Sequence, residues 1–366
     1  MVSHYSNIMA KKLHSMLETP EKKKYLNFLF SVKKFFSYSP SEYYGQLAWV
    51  KLAHQRLNVK YPKNRKEWFE EWLVGLTDGD GCFSISYQKE NKWNLTFKIS
   101  QSKVNVKLLH YIKKELGCGN ITEEVDKLNY RIRDKDNLTN KLIPIFEKYP
   151  LLTYKYFDYL KFKHVLEVLN DSIRYPVGEI KNLKIEEIIS KDYSLIYSSK
   201  ISWVNKLNNN RPCSPIWDIT DKELPDKEYW KSKISKPWLI GFIEAEGSLY
   251  ITKKDSSLNA RYSHGFGITQ KKDSLLLEGI KQLLRIPSKV KKHNNFYSLD
   301  NTNNKVNLFL NKYFKCSFKG IKSLQYAIWS RSLIKSKNIL DIEEKKQYLK
   351  ETQDRLKNIV KKDQSN

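Results

Sequence analysis

Hydrophobic positions along this 366-residue chain change period in a fixed order. Trp68, Phe69, Trp72, Leu73 and Leu76 recur at three- and four-residue spacing, which predicts a helix, and Gly81 follows as its stop. The period then drops to two. Phe83, Ile85 and Tyr87 alternate with Ser84 and Ser86; after a polar turn at residues 90–92, Leu95, Phe97 and Ile99 alternate with Asn94, Thr96 and Lys98. This alternation predicts paired antiparallel strands with one apolar face and one face open to a ligand. A helix over 104–116 closed by Gly117, short strands near Ile121 and over 130–133, and helices over 138–148 and 154–170 complete the pattern.

The same pattern returns. WLVGLTDGDG, from Trp72, recurs as WLIGFIEAEG, from Trp238, 166 positions on. FKISQ ending at Gln101 returns as FGITQ ending at Gln270, Tyr130 returns as Tyr297, and Lys155 as Lys322, at offsets of 169, 167 and 167. Register held over such a span marks a duplicated module. The expected fold is therefore α+β, two pseudo-symmetric αββαββα modules. The organisation read from the sequence is a basic helical extension over 1–66, a first module over 67–171, a linker over 172–236 and a second module with a helical tail over 237–366. The linker holds the clustered breakers Asn208, Asn209, Asn210, Pro212, Pro215 and Pro225, with some helix near 180–190.

Charge narrows the partners. Sixty-six Lys and Arg against 40 Asp and Glu give a net +26, an excess that repels itself unless a polyanion offsets it, so a nucleic acid is the expected partner. The extension over 1–66 holds 13 Lys and Arg against Glu18, Glu21 and Glu42. Glu18 and Glu21 oppose a transit-peptide reading. No stretch approaches the roughly 18 apolar residues of a membrane span, so no membrane partner is expected. Four scattered cysteines without CxxC spacing and seven histidines without a paired motif give no basis for disulfides or zinc.

The repeated segments carry the chemistry. Each sets small residues four apart, Gly75 and Gly79 in one and Gly241 and Ala245 in the other, on a helix side where a second backbone can approach closely. A glycine inside a helix costs about 1 kcal/mol relative to Ala, so three glycines among four small positions in matched register imply a packing purpose. Each segment ends in an acid before its last glycine, Asp80 and Glu246, at the helix end where the dipole disfavours negative charge. If the helices pair, two carboxylates about 5–6 Å apart repel by roughly 3 kcal/mol at an effective dielectric near 20, so they need a shared proton or a divalent cation. Hard oxygen ligands without histidine favour Mg²⁺, and Mg²⁺ beside phosphate oxygens suits phosphodiester hydrolysis.

LVGLTDGDG (73–81) and LIGFIEAEG (239–247) resemble the two signature helices of a single-chain, two-motif LAGLIDADG homing endonuclease or intron maturase, a resemblance that spans residues 67–335. It implies that the signature helices form the interface, that two saddle-shaped sheets lie in the DNA major groove, and that Asp80 and Glu246 bind the catalytic metal. Gln101 and Gln270 match the glutamine that helps organise active-site water in many members. The family also places a basic residue near the site in each half. Lys135 and Lys305 are the candidates by order along the chain; Lys155 and Lys322 align better with each other but begin a helix, where a solvated or phosphate-contacting role competes. Asp78 and Glu244 read as capping or supporting groups on another helix face. The resemblance further implies intron encoding, a mitochondrial or other organellar origin, and a monomer, since one chain holds both motifs.

Outward sheet residues are the expected readers of the duplex: Ser84, Ser86, Gln88, Asn94, Thr96 and Lys98 in the first half, Thr252, Lys254, Arg261 and Ser263 in the second. The halves differ at nearly every such position, which points to a long, non-palindromic target. Three functions compete. An endonuclease making a staggered double-strand cut keeps both acids; a splicing maturase binding its group I intron RNA explains the basic extension; a cleavage-dead DNA-binding regulator has no use for a repelling pair of carboxylates.

Overall fold

Asn64 opens the first helix by accepting the Glu67 N–H on its side-chain oxygen at 3.2 Å, and that helix, α1 (Arg65–Asp80), runs straight into strand β1 (Gly81–Gln88) with no intervening loop. Asp80 is therefore the last helical residue and Gly81 the first of a sheet. The structure, a computed structural model, describes residues 64–88, 92–176, 178–198, 202–219, 223–254 and 261–364, so the expected extension lies outside the described residues except for 64–66.

After β1 come β2 (Lys92–Ser102), α2 (Val106–Leu116), β3 (Asn120–Glu123), β4 (Lys127–Ile132), a helical run α3 over residues 135–148 with a wide π-turn at Leu138–Leu142, and α4 (Lys155–Asn170). Gly117 closes α2 in the left-handed conformation, with φ 63°, as its place after the apolar run suggests. Four helices follow: α5 (Glu179–Ser190), α6 (Tyr193–Ser198), α7 (Ser202–Leu207) and α8 (Lys227–Lys233). Helix α9 (Lys236–Glu246) then starts the second copy, with Ser235 as its cap and Pro237 in its first turn. It continues through β5 (Gly247–Lys253), β6 (Tyr262–Gln270), α10 (Ser274–Leu283), β7 (Lys291–Lys292), β8 (Tyr297–Asn301), α11 (Asn304–Tyr313) and α12 (Lys322–Asn338), and ends in α13 (Ile342–Gln364).

Both sheets are antiparallel with the same strand order, β1-β2-β4-β3 and β5-β6-β8-β7. The fold is α+β, two pseudo-symmetric αββαββα modules. Strand pairing refines one sequence equivalence: Ile99 pairs with Tyr130 and Ile268 with Leu299, so Leu299 answers Tyr130 and Tyr297 answers Leu128. Each inner sheet face closes on its own aromatic core. Phe83 sits 5.4–5.5 Å, ring to ring, from Phe97, Phe146, Tyr159 and Phe162, while Phe266 meets Phe314 and Phe314 meets Phe318.

The modules join through α1 and α9. Gly75 lies against the backbone carbonyl of Trp238 and Gly241 against that of Trp72, an exchange in which each glycine receives the other helix's main chain. A methyl group at either position would run into that carbonyl oxygen. Gly79 meets Ala245 further along. The four small residues expected at an interface are all there.

The segment expected as a linker is a packed strap. Ser214 Oγ and the Trp217 indole N–H donate to the carbonyls of Leu151 and Leu152 at 2.8 and 3.1 Å, and Asn208 Oδ1 accepts from Ser274 Oγ and the Leu275 N–H at 3.1 and 3.0 Å. It thus ties the loop before α4 to the start of α10. Asn209 and Asn210 take left-handed φ of 55° and 59°, a conformation asparagine tolerates better than most residues, so the breakers shape a tight corner inside the strap. Buried Trp217 and Trp230 anchor it.

Candidate active site

Because α1 and α9 each end directly in a strand, their last residues face each other at one end of the interface. Glu246 Cγ lies 3.2 Å from where a side chain on Gly79 would begin, next to Asp80. Burial raises the Asp80 carboxyl above its ordinary range, and the Gln101 amide and the Lys155 and Lys322 ammonium groups pull it back. Burial and then the Asp80 charge push Glu246 up to about 7, against Lys155, Lys322 and Lys271. The two acids therefore share one electrostatic cluster with two lysines.

Those lysines are Lys155 and Lys322. Lys155 Nζ donates to the Gly79 carbonyl at 2.7 Å, and Lys322 Nζ donates to the Gly247 carbonyl. Burial makes Lys155 a poorer holder of its proton, opposed by Asp78, Asp80 and Glu246. Their placement follows from Asp78 and Glu244. Asp78, 2% exposed, accepts the Leu152 and Thr153 N–H groups at 2.9 and 3.0 Å, the Thr153 hydroxyl at 2.6 Å and the Trp238 indole N–H at 2.9 Å. Glu244 accepts the Lys319 and Gly320 N–H groups at 2.8 and 3.0 Å. Each acid thus holds the loop that starts the helix carrying a lysine.

Lys135 and Lys305 stand elsewhere. Lys135 Nζ is 3.5 Å from the Leu169 carbonyl; Leu169 lies fourteen residues beyond Lys155 on α4, roughly 21 Å along the helix at 1.5 Å per residue. Lys305 is exposed in the first turn of α11, capped by Asn303. Order along the chain misled here because α4 and α12 fold back to bring their first residues, not the residues nearest β4 and β8, to the helix ends.

The glutamines behave differently in the two halves. Gln101 Nε2 donates to Asp80 Oδ2 at 2.6 Å, whereas Gln270 Oε1 accepts the Lys271 N–H at 2.9 Å. Asn105 and Asp273, which sequence reading passed over, stand behind them. Asn105 joins Gln101 to the Ile321 N–H, and Asp273 accepts the Tyr154 N–H, burial pushing its carboxyl up to about 7. A cavity of about 590 Å³ opens beside the second acid, with Lys155, Glu246, Gln270, Lys271 and Asp273 on its wall.

Strand register puts the expected readers on one face. Ser84 pairs with Thr96, Ser86 with Asn94, Gln88 with Lys92, and Lys98 lies between Cys82 and Arg131. The face also takes in Asn129 and Lys127 of β4, which the shorter, less regular strands hid from the sequence pattern. In the second sheet Thr252 pairs with Ser263, and the Lys254 N–H donates to the Arg261 carbonyl at the base of a hairpin. Tyr250 and Asp300 join that face: the Tyr250 ring covers Gly265, and its hydroxyl donates to Asp300 Oδ1 at 3.2 Å.

The donor set fits a hard divalent cation. It offers two carboxylates whose burial penalises the charge they would carry, and among the described residues no group of three His, Cys, Asp or Glu supplies further ligands. The remaining positions would fall to main-chain oxygens, water and phosphate, the mixture Mg²⁺ prefers.

Comparison with known proteins agrees with this geometry. The family model described as LAGLIDADG endonuclease matches residues 73–166 and 239–333, one copy over each module. A Schizosaccharomyces pombe protein named "Probable intron-encoded endonuclease Cox1-I1b" is 40% identical over 283 residues, 74% of this chain and 65% of its own length. The Kluyveromyces lactis protein named "Probable intron-encoded endonuclease aI3" is 26% identical over 74% of this chain and 68% of its own. The chain thus spans just under two thirds of the S. pombe relative. Among solved structures, I-SmaMI bound to an uncleaved DNA target in the presence of calcium ions superposes with a TM-score of 0.59 at 24% identity, covering 79% of this chain and 97% of that one. The meganuclease I-CpaMI bound to uncleaved DNA gives the same TM-score and identity over 78% and 97%. These likenesses show the fold, and the doubled family match shows the kinship: the chain belongs to the LAGLIDADG endonuclease family.

Proposed function

We propose that the chain is a site-specific, intron-encoded DNA endonuclease that makes a Mg²⁺-dependent staggered double-strand cut in a long asymmetric target. The observation that carries this reading is the meeting of Asp80 and Glu246 at the ends of α1 and α9, with Lys155 and Lys322 beside them. Two acids whose burial raises their proton affinity, the second raised further by the charge of the first, are a cost to the fold unless a cation is bound there. Bound divalent metal would activate water and stabilise the leaving oxygen of a phosphodiester. The residues themselves hold the cation (Asp80, Glu246), orient water (Gln101) and offset phosphate charge (Lys155, Lys322). Ser84, Ser86, Gln88, Asn94, Thr96, Lys98, Thr252, Lys254, Arg261 and Ser263 read base edges, and the net +26 supplies the salt-dependent part of affinity.

One chain supplies both halves, which supports a monomer, and a relative at 28% identity named "Uncharacterized mitochondrial protein RF1" supports a mitochondrial setting. Assistance to splicing of the host group I intron RNA is a second reading, favoured by the 13 Lys and Arg among residues 1–66.

The test is a single panel: duplex DNA carrying a target selected from a randomised library, against precursor RNA, with Mg²⁺ or EDTA. Cleavage of the duplex only with Mg²⁺ is expected, and Asp80→Asn or Glu246→Gln should each reduce double-strand cutting by at least about 100-fold with duplex binding retained. Full cutting by the double variant removes the assignment of the acids. Tight RNA binding with no duplex cleavage by the unaltered protein would move the conclusion to the maturase.

A further inference from the structure

Asn105 and Asp273 hold matching places in the turn after the second strand of each sheet, and each reaches across to the other module. The Ile321 N–H donates to Asn105 Oδ1 at 2.8 Å; the Tyr154 N–H donates to Asp273 Oδ1 and Oδ2 at 3.1 and 3.3 Å. Ile321 and Tyr154 immediately precede Lys322 and Lys155, so both side chains brace the start of a lysine-bearing helix.

They differ in what they have left to give. An N–H donates only, so the Ile321 contact fixes the Asn105 oxygen toward it and turns the Asn105 amide nitrogen the other way, where it donates to Gln101 Oε1 at 2.7 Å. Gln101 is then left with its own NH₂ for Asp80, and it donates to Oδ2 at 2.6 Å. Every bond in this series points one way. A carboxylate has no N–H to pass on. The turn in the second half is also one residue shorter, with Asp273 three positions after Gln270 where Asn105 is four after Gln101. Gln270 accordingly spends its oxygen on the Lys271 N–H.

We propose that Asn105 is a positioning residue that polarises a one-way series of hydrogen bonds, Ile321 to Asn105 to Gln101 to Asp80, and that the break in this series at Asp273 makes the strand served by Asp80 the first to be cut. This rests on the endonuclease reading above. The series also ties the first acid's glutamine to the loop that delivers the second module's lysine.

The test uses the full chain, Mg²⁺ and a duplex target labelled on both strands, at pH 8.5, where Asp273 is ionised. The unaltered protein should pass through a nicked intermediate with one strand cut first. Asn105→Asp keeps the acceptor for Ile321, removes the donor to Gln101, and places in the first half the side chain the second half already tolerates. It should slow the first cut about 10-fold or more while the second strand's rate and the duplex Kd stay within about 2-fold. Gln101→Ala should slow the same cut, and the double variant should be no slower than Gln101→Ala alone. Glu246→Asp, which makes the two terminal acids alike, should leave the order of cutting unchanged. Equal slowing of both strands, additivity in the double variant, or reversal of the order by Glu246→Asp would overturn the proposal. If the unaltered protein cuts no duplex, the endonuclease reading fails. The hydrogen-bond series is then decided by a crystal structure of Asn105→Asp, in which Gln101 should leave Asp80; a Gln101 still bonded to Asp80 refutes it.

Discussion

At the interface of the two modules, Gly75 receives the Trp238 carbonyl and Gly241 the Trp72 carbonyl; on the outward faces of the sheets, Ser84, Thr96, Lys98 and Arg131 of one module answer Tyr250, Gly265, Gly267 and Asp300 of the other. Both pairs of surfaces descend from one duplicated pattern, and physical constraint separates their fates. Two helices whose backbones touch admit only the smallest side chains, and a change in one helix must be met by the other. An outward strand position touches neighbouring side chains rather than another module's backbone, so it can change with them to suit whatever lies across from it. A target whose two halves differ would call for such divergence, whereas a palindrome would not.

The sharpest way to break this comparison is to place the same small addition on each surface. Gly75→Ala or Gly241→Ala puts a methyl group into the partner's main chain, which cannot move without parting α1 from α9. Since overpacking in a well-packed core already costs about 1–3 kcal/mol, a clash with backbone should cost more, enough to leave little folded protein at 37 °C. Gly265→Ala meets the far end of the Tyr250 ring, a side chain able to swing away. Its stability should lie within about 1 kcal/mol of the parent by urea unfolding, with altered duplex selectivity. Equal losses at 75 and 265 would show that the interface is no more constrained than the face.

How far this was legible in the sequence tracks the same divide. The glycines four apart, the acids at 80 and 246 and the alternation of Phe83, Ile85, Leu95 and Phe97 are local patterns whose physical meaning depends on period, and all stand where the pattern puts them. The lysines were harder. Lys155 and Lys322 reach the helix ends through loops held by Asp78 and Glu244, contacts 74 to 76 residues apart in sequence that no local period records. The packing of the strap is hidden for a related reason: proline and asparagine mark where a chain turns, and only the three-dimensional partners Leu151, Leu152 and Ser274 reveal that the turning segment is stapled down. Asn105 and Asp273 escaped notice because their meaning lies in the direction of hydrogen bonds rather than in residue type.

A second, smaller effect concerns the two acids. Glu246 titrates near 7 in the fold against about 4.5 in an unfolded chain, so between those values the folded form holds a proton that the unfolded form has lost. Stability without metal should therefore fall as pH rises from about 4.5 to 7 and then level, a loss of roughly 3 kcal/mol at about 1.4 kcal/mol for each pH unit crossed. Asp80 is raised in the same direction and adds to the slope. Glu246→Gln should flatten its share, and millimolar Mg²⁺ or Ca²⁺ should restore stability at pH 8 by binding the ionised pair. Urea midpoints across pH 4 to 8.5, with EDTA or metal, decide the matter: a curve that rises over this range, or one indifferent to divalent ions, would mean that the acids do not burden each other as the geometry requires.

The smallest effect compares the two sheet faces directly. Lys98 stands beside Arg131, itself paired with Glu124, while the matching places in the second sheet hold Gly267 and Asp300. If both faces lie against a polyanion, Lys98→Ala should weaken duplex binding by about 1 kcal/mol and, where the lysine meets a phosphate, lower the slope of log K against log salt by about 0.9. Asp300→Ala should do the reverse in sign, tightening binding modestly while freeing Tyr250 from its hydrogen bond, so that any gain in affinity comes with a loss of discrimination at the bases beneath that ring. Titrations at several salt concentrations separate the two contributions, because phosphate neutralisation changes the slope and base reading changes only the intercept. A slope unmoved by Lys98→Ala, with affinity reduced, would transfer Lys98 from the phosphates to a base edge and make the first face a reader throughout.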